Sequence, residues 1–323
     1  MTRTFATGAA VIASALVLAG CGAAAAPTGG SGGLTHVTVG VSPTTAAIAV
    51  YLAQQEQTFA ANGLEVELST IQSGADAVPR LVNGSLDMAF GDAVGTVQAA
   101  ANGVPLRVVG ISTVAPSDPA KDYSAIIAPA SSHIAGAAGL SGKTIAVNQL
   151  SGGAQLTVKA AVDAQGGDST QLKFVELPFP QMAAAVKAGR VDAAMNVEPF
   201  VTQSKGDGLE KVLAPQASAV PGLPTTLIVS SGTYAAANPT VIEKFMAALS
   251  AAGKKANADP AAGRAVAGFT KLPAATLDVI TLPVYAETAA DTSGLPKLIV
   301  IMNKYQALPK QPDMTALLGA PPS

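Results

Sequence analysis

One motif occurs twice in the sequence, and this repeat limits the possible folds more than any other feature. Residues 84–92 read GSLDMAFGD, and residues 189–198 read GRVDAAMNVE. Both run Gly, any residue, Leu or Val, Asp, any residue, Ala and a large apolar residue, at an offset of 105 residues (189 minus 84). Upstream, VGVS at 39–42 matches IAVN at 145–148. A solenoid unit spans only about 20–50 residues, so this repeat predicts two α/β lobes of one design that face each other.

Strand and helix patterns alternate along both copies of the repeat. Runs rich in β-branched residues, such as HVTVGVS at 36–42 and LEVELSTI at 64–71, precede segments with helical spacing. This alternation predicts mostly parallel sheets that carry helices on both faces. In such sheets, ligands bind outside the carboxyl ends of the strands. The sequence therefore predicts an α/β fold with a ligand cleft between its two lobes.

A chain of 323 residues is long enough for about two domains. We assign residues 34–113 and 231–323 to lobe I, and residues 114–230 to lobe II together with the segments that cross between the lobes. Closure of the cleft is expected to bend the chain around 114–142 and 214–230. The C-terminal helices are expected to complete lobe I and to support the hinge.

The N-terminus predicts secretion and lipid attachment. Arg3 precedes an apolar run of signal-peptide length, and the run ends in Leu18-Ala19-Gly20-Cys21, which resembles the bacterial lipobox. The alternative is an ordinary secretory signal with an incidental cysteine. We therefore predict a signal peptide at 1–20, a lipid on Cys21, a flexible Gly/Ala-rich tether at 21–33 and anchoring at the outer face of the cytoplasmic membrane.

Composition excludes several function classes. The net charge is −2 and no basic run is present, so we expect no nucleic-acid partner. Beyond the N-terminus no stretch of 18 apolar residues predicts a membrane span. Cys21 is the one cysteine of the chain, and His36 and His133 are its two histidines. We accordingly expect no metal site, no cofactor and no catalytic residue.

The candidate ligand contacts are the polar, glycine or aromatic residues at strand ends that lead into helices. At these places unpaired backbone N–H groups point toward the cleft. The candidates are Ser42, Thr44, Thr45, Ser73, Gly74, Gly91, Asp92, Asn148, Ser151, Gly152, Phe179, Asn196 and Glu198.

Several candidates also have purely structural interpretations. Thr44 or Thr45 is placed to cap the helix that follows it, and Ser73 with Asp76 has the spacing of a capping box. Asp92 is equally suited to cap a helix or to contact a ligand, and one side chain is able to do both. Glu198 is either an acceptor for a donor group of the ligand or a solvated charge at the rim of the cleft.

These segments together resemble a known family. The likeness covers residues 34–318 and rests on VGVSPTTAAIAVYLA, IQSGADAVPRLVNGSLDMAFGD, LSGKTIAVN, FVELPFPQMAAAVKAGRVDAAMNVEPF and NPTVIEKF. It is similar to substrate-binding lipoproteins of nitrate-, sulfonate- and taurine-type ABC importers, a family that also includes relatives of pyrimidine synthases. The resemblance implies the two-lobe periplasmic-binding-protein fold, type II-like, in a monomer. It also implies that the protein delivers a small solute to the permease subunits of an ABC importer. The ATPase of that importer is then an indirect partner.

The resemblance leaves the ligand open. Arg80 and Lys143 are expected away from the cleft, and the chain contains no Trp and only five Tyr. Two carboxylates in the cleft favour a solute with an amine or hydroxyl group, whereas the alternative is a sulfonate, taurine or nitrate receptor that uses helix N-termini. Two other function classes stay open. The resemblance implies that a synthase-like enzyme needs a histidine and a cysteine motif, and this chain supplies neither. A sensor would use the same cleft without a transporter.

Overall fold

The computed structural model describes residues 33–286 and 292–319. The predicted signal peptide, the lipidation site Cys21 and residues 21–32 of the predicted tether lie outside the described residues. None of the described helices combines the length and the apolar character that a membrane crossing requires.

The strands form two separate sheets. In chain order they are β1 (Thr35–Val41), β2 (Leu64–Thr70), β3 (Met88–Asp92), β4 (Leu106–Val114), β5 (Ser124–Pro129), β6 (Thr144–Val147), β7 (Lys173–Glu176), β8 (Ala193–Val197), β9 (Leu209–Leu213), β10 (Pro224–Ser231) and β11 (Val284–Tyr285). The first sheet has the order β11-β4-β10-β3-β1-β2, and the second has the order β7-β6-β8-β5-β9.

The two sheets share one topology. Apart from the short edge strand β11, both follow the order second, first, third, inserted strand, fourth. The inserted strand is β10 in the first sheet and β5 in the second, and each is antiparallel to both of its neighbours. The other long strands are parallel to one another. The predicted α/β fold with one sheet per lobe is confirmed, and both sheets are mixed because each contains an inserted antiparallel strand.

The repeated motif has the same structural role in both lobes. Its glycines, Gly84 and Gly189, have φ angles of 78° and 67°, which suit a residue without Cβ just after a helix. Its aspartates bind the neighbouring strand. Asp87 Oδ2 accepts the N–H of Thr38 at 2.8 Å, and Asp192 Oδ2 accepts the N–H of Thr144 at 2.8 Å. Each copy of the motif therefore places an aspartate that accepts a backbone N–H of the neighbouring strand.

Helices cover both faces of each sheet. They are α1 (Ile48–Gln55), α2 (Thr58–Ala61), α3 (Gly74–Val82), α4 (Ala93–Ala101), α5 (Gly153–Ala164), α6 (Phe179–Lys187), α7 (Phe200–Gly206), α8 (Pro215–Ala219), α9 (Gly232–Ala237), α10 (Pro239–Ala258), α11 (Pro260–Ala265), α12 (Ala274–Leu277), α13 (Gly294–Lys304) and α14 (Met314–Leu318). In lobe I, α1 and α10 pack on one face of the sheet, and α4 and α13 pack on the other. In lobe II, α5 covers one face and α6 the other.

The segment with helical spacing after β1 does not form one continuous helix. The structure divides this segment into a short 3-10 turn at Thr45–Ala47 followed by α1 and α2. Gln57 separates α1 from α2 with a φ of 56°, in the left-handed region. The break redirects the chain so that Phe59 stacks on Phe245 of α10, with ring centroids 5.1 Å apart.

Two segments, 115–123 and 214–223, connect the sheets and run side by side. The N–H of Ala115 donates to Leu223 O at 2.9 Å, and the N–H of Gly222 donates to Ala115 O at 2.8 Å. The buried carboxylate of Asp122 accepts hydrogen bonds from the N–H and hydroxyl of Ser124 and from the N–H of Ala217. The predicted lobe boundary at residue 230 falls inside β10, so we propose that lobe I resumes near Pro224.

Candidate functional site

A cavity of about 130 Å³ lies between the two sheets, and both lobes contribute to its wall. An apolar cavity of about 150 Å³ in another protein accommodates benzene, so this space suits a small organic molecule. Eight of the thirteen predicted contact residues line it: Ser42, Thr44, Ser73, Gly74, Gly91, Asp92, Asn148 and Phe179. Ser42 and Asn148 follow corresponding strands of the two lobes and are 106 residues apart in the sequence (148 minus 42). The structure thus brings together at one cavity the strand ends that the sequence singled out.

Asp92 lies at the centre of this arrangement. It ends β3 and precedes α4, and its Oδ1 accepts the N–H of Gly95 at 2.7 Å, so the predicted N-cap is confirmed. The same oxygen accepts the N–H of Gly153, the first residue of α5 in lobe II, at 3.0 Å. One carboxylate oxygen therefore joins the N-termini of two helices from different lobes.

The environment of Asp92 opposes its ionisation. The side chain keeps some accessible surface, which faces the cavity, but protein atoms surround it. Burial raises the pKa of the Asp92 carboxyl, and hydrogen bonds from the N–H groups of Gly95, Gly153 and Val94 partly offset this rise. Two of these three donors, the N–H groups of Gly95 and Gly153, bond Oδ1, and we expect a ligand to reach the carboxyl through Oδ2.

Gly153 allows the close approach of the two lobes. A Cβ at this position would overlap Asp92 Oδ2 and lie 3.0 Å from the Asp92 carboxyl carbon. Gly152, the residue before α5, has an extended backbone and provides no side-chain cap, so the N-terminus of α5 is open to the carboxylate of the other lobe. The glycine at position 153 is explained by this contact.

Glu198 does not line the cavity. Its side chain is 2 % exposed and accepts the N–H and hydroxyl of Thr202, at 2.9 and 2.8 Å, and the N–H of Thr281 at 3.3 Å. Burial raises the pKa of this carboxyl, and the hydrogen bonds from Thr202 and Thr281 partly offset the rise. The expectation of a solvated rim charge is wrong, because protein groups enclose the carboxylate.

The other four predicted residues also lie outside the cavity wall. Thr45 is buried, and its N–H and hydroxyl donate to Glu198 O at 3.2 and 3.4 Å. Asn196 is buried and accepts the N–H of Val197 at 3.0 Å. Ser151 O accepts an N–H of Gln98 from lobe I at 2.7 Å. Thr45 and Ser151 therefore form hydrogen bonds between the lobes. Gly152 also does not line the cavity and lies just before α5.

The predicted caps near the first two strands are wrong. Neither Thr44 nor Ser73 uses its side chain to cap the helix that follows. Asp76 accepts the N–H of Gln72 at 3.1 Å, one residue before the N–H of Ser73 that a capping box would use. The hydroxyl of Ser73 and the first N–H groups of α3 are therefore open toward the cavity.

Six polar residues of the wall were missed by the sequence analysis: Gln72, Tyr123, Thr157, Gln216, Thr225 and Thr226. Tyr123 immediately precedes β5, and Thr225 lies at the start of β10. Because β5 and β10 run antiparallel to their neighbours, their amino ends lie at the edge where the parallel strands have their carboxyl ends. In the sequence, Tyr123 and Thr225 could have been found as the residues at the start of a strand that follows a crossing segment.

Tyr123 and Gln216 form the most buried polar part of the wall. Tyr123 is 5 % exposed, and burial raises the pKa of its hydroxyl, while the nearby side chains of Gln216 and Thr225 oppose the rise. Gln216 is also 5 % exposed, and its Oε1 is buried without a hydrogen-bond partner among the described residues. A buried acceptor without a donor is costly, so this oxygen marks a place where a ligand donor is expected.

Cationic side chains lie away from the cavity. Arg80 donates to Thr70 O at 3.2 Å and to Ser69 Oγ at 2.6 Å, and Lys143 lies 3.8 Å from Asp192. His36 lies 3.1 Å from Glu67 on the surface, and His133 is exposed after a 3-10 turn. Among the described residues, no cluster of His, Cys, Asp and Glu side chains has the composition and proximity of a metal site.

Comparisons with known proteins agree with the two-lobe architecture. A family model described as NMT1/THI5 like matches residues 44–263. No curated protein matches the sequence.

Several solved structures are similar to this one. The alkanesulfonate-binding protein SsuA of Xanthomonas axonopodis pv. citri, bound to MOPS, has a TM-score of 0.73 and 20 % identity, with 88 % of this chain and 98 % of that chain covered. The aliphatic sulphonate binding protein SsuA of Escherichia coli has a TM-score of 0.71 and 18 % identity, with coverages of 88 and 97 %. The nitrate-binding protein NrtA of Synechocystis PCC 6803 has a TM-score of 0.69 and 14 % identity, with coverages of 85 and 83 %. At these identities the likeness establishes the fold.

Proposed function

Because the chain belongs to the NMT1/THI5-like family, we propose that it is a solute-binding protein of an ABC importer. It captures a small organic molecule between its lobes outside the cytoplasmic membrane and delivers it to the permease subunits. The lipid on Cys21 anchors it to the outer face of that membrane, and it acts as a monomer. The similar structures support this proposal, since they include proteins named for binding sulfonates and nitrate.

The observation that carries the proposal is the cavity between the lobes. Ser42, Ser73 and Asp92 come from lobe I, whereas Asn148 and Phe179 come from lobe II. A solute in this cavity contacts both lobes at once, so its binding energy favours the closed arrangement over an open one. The paired crossing segments, 115–123 and 214–223, supply the connection about which the lobes rotate.

Three other functions are weighed against this one. A sulfonate, taurine or nitrate receptor would use the same architecture, but no cationic side chain of the described residues lines the cavity. The resemblance implies that a synthase-like enzyme would use a histidine, and neither His36 nor His133 lines the cavity. A sensor would bind the same solute without a transporter. Neighbouring genes for a permease and an ATPase would support transport over sensing.

The test is a thermal-unfolding screen of the full chain against amines, amides, amino acids, pyrimidines, aromatic acids, sulfonates and nitrate. A solute at 100 times its dissociation constant stabilises the folded state by about 2.7 kcal/mol, which raises the unfolding temperature measurably. Small-angle scattering of the protein with the best solute should show a more closed particle. Mass spectrometry of the recovered solute detects any turnover.

A selective shift by one chemical class with the solute recovered unchanged is the expected result. Absence of stabilisation by every compound of the screen would contradict solute capture. Chemical conversion of the bound compound would favour the synthase-like alternative.

A further inference from the structure

The cavity contains one charged side chain among the described residues that line it, and that side chain is Asp92. Similar folds include proteins that bind anions, namely sulfonates and nitrate. An anion in this cavity would meet a carboxylate and no compensating arginine, lysine or histidine. The charge of the cavity is therefore opposite to the charge that an anion receptor requires.

The position of the Asp92 carboxylate explains how this difference arises. Helices α4 and α5 contain 9 and 12 residues, and their N-termini meet at Asp92 Oδ1 through the N–H groups of Gly95 and Gly153. Helix N-termini bind anions because their first N–H groups are unpaired and the helix dipole is positive there. The protein's own carboxylate thus occupies a position that suits the acid group of an anionic ligand.

Gln216 provides an independent indication of the ligand's chemistry. Its side chain is 5 % exposed, lines the cavity, and has an Oε1 atom without a hydrogen-bond donor among the described residues. The carboxylate of Asp92, whose Oδ1 accepts the N–H groups of Gly95 and Gly153, is a second acceptor group at the same cavity. Two available acceptors are complementary to a solute that carries N–H donors.

We propose that Asp92 sets the charge selectivity of this cleft by taking the place of an acid group between α4 and α5, so that the solute is a small N–H donor without net negative charge. This inference rests on the proposed solute-binding function. An anionic solute would have to displace the carboxylate from Gly95 and Gly153 or bind beside a like charge. An amine or amidine instead pairs with Oδ2 and leaves the contact between the lobes intact.

The test exchanges the charge at this position and measures both ligand classes. Two variants of the full chain, Asp92→Asn and Asp92→Ser, are titrated calorimetrically with methanesulfonate, nitrate, methylammonium and acetamidine at constant ionic strength. Asn keeps the shape of the side chain, and Ser keeps the cap on α4 while it opens space for an anion. Asp313→Asn is the matched control, because Asp313 caps α14 through the N–H of Ala316 away from the cavity.

We expect methanesulfonate or nitrate to bind at least about tenfold more tightly to both Asp92 variants than to the wild type, a change of about 1.4 kcal/mol. Acetamidine should bind at least about tenfold more weakly to the variants, and Asp313→Asn should resemble the wild type. Anion binding to the wild type that neither variant tightens would overturn the inference, as would failure of both folded variants to gain anion binding. The latter result leaves solute capture by the wild type intact, so the two proposals fail separately.

Discussion

The two lobes share a strand order, but the carboxylates that follow their third strands have different surroundings. Asp92 ends β3, faces the cavity and retains an oxygen for a ligand, whereas Glu198 follows β8 and is enclosed by Thr202 and Thr281. Both carboxylates connect the lobes, and burial raises the pKa of both. The comparison teaches that one position in a repeated topology borders the cavity in one lobe and is enclosed by protein groups in the other.

The largest effect is expected from Glu198→Ala. This substitution leaves the part-buried N–H groups of Thr202 and Thr281 without their acceptor, so it should lower the free energy of unfolding by about 3 kcal/mol. Urea denaturation measures the change. Glu210→Ala, at an exposed position on β9, is the control and should change stability by less than about 0.5 kcal/mol. A similar, small loss in both variants would contradict the structural role of Glu198.

A second pair of variants tests whether the repeated aspartate contributes equally to the stability of the two lobes. Asp87→Ala and Asp192→Ala each remove the acceptor of one strand N–H, from Thr38 or Thr144. Each should lower the free energy of unfolding by about 1–2 kcal/mol, because each loses one hydrogen bond to a charged group. The measurement is again urea denaturation, with Asp118→Ala in a surface turn as the control. Losses that differ by more than about 1 kcal/mol would show that the repeat is not energetically equivalent in the two lobes.

A smaller effect is expected at the contact between α13 and α5. The Tyr305 hydroxyl donates to Asp163 Oδ2 at 2.8 Å, and burial together with this carboxylate raises the pKa of Tyr305 to about 12. Tyr305→Phe should lower the free energy of unfolding by about 1 kcal/mol. Tyr234→Phe is the control, because that hydroxyl makes no hydrogen bond with the described residues. Equal stability changes in the two variants would contradict a contribution from the link to Asp163.

The smallest effect is a pH dependence at Asp92. A carboxyl whose pKa is higher in the folded chain than in the unfolded chain stabilises the fold below the unfolded value, near 3.8, and loses this contribution as the pH rises through the folded value. The stability of the wild type relative to Asp92→Asn should therefore decrease as the pH rises from about 3 into the neutral range. Unfolding temperatures of both proteins across this range measure the trend. A difference that is constant or that increases with pH would contradict the raised pKa.

Much of the architecture was predictable from local patterns. The repeat predicted two lobes of one design, the alternation of strands and helices predicted mostly parallel sheets, and the Gly91-Asp92 sequence predicted an N-cap. These features depend on neighbours within one element or on sheet pairing that repeats along the chain. Eight of the predicted contact residues line the cavity, and their contact with a solute stays a prediction.

Three of the missed residues depend on strand direction. Tyr123, Gln216 and Thr225 belong to or adjoin the segments that cross between the lobes, which the sequence analysis treated as a hinge. The rule for parallel strands points to carboxyl ends, but β5 and β10 are antiparallel and present their amino ends to the cavity. Sequence patterns carry little information on strand direction, because side chains alternate between the two faces in both orientations.

The sequence by itself determined the number of lobes, their repeated design and the edge of each sheet that borders the cavity. Only the tertiary structure decided which of the two carboxylates, Asp92 or Glu198, borders the cavity. Thr281 is 83 residues from Glu198 and closes over it, and Gly153 is 61 residues from Asp92 and takes one of its two oxygens. Periodicity follows from the local geometry of helices and strands, whereas the satisfaction of a buried carboxylate depends on donors that only folding brings into contact.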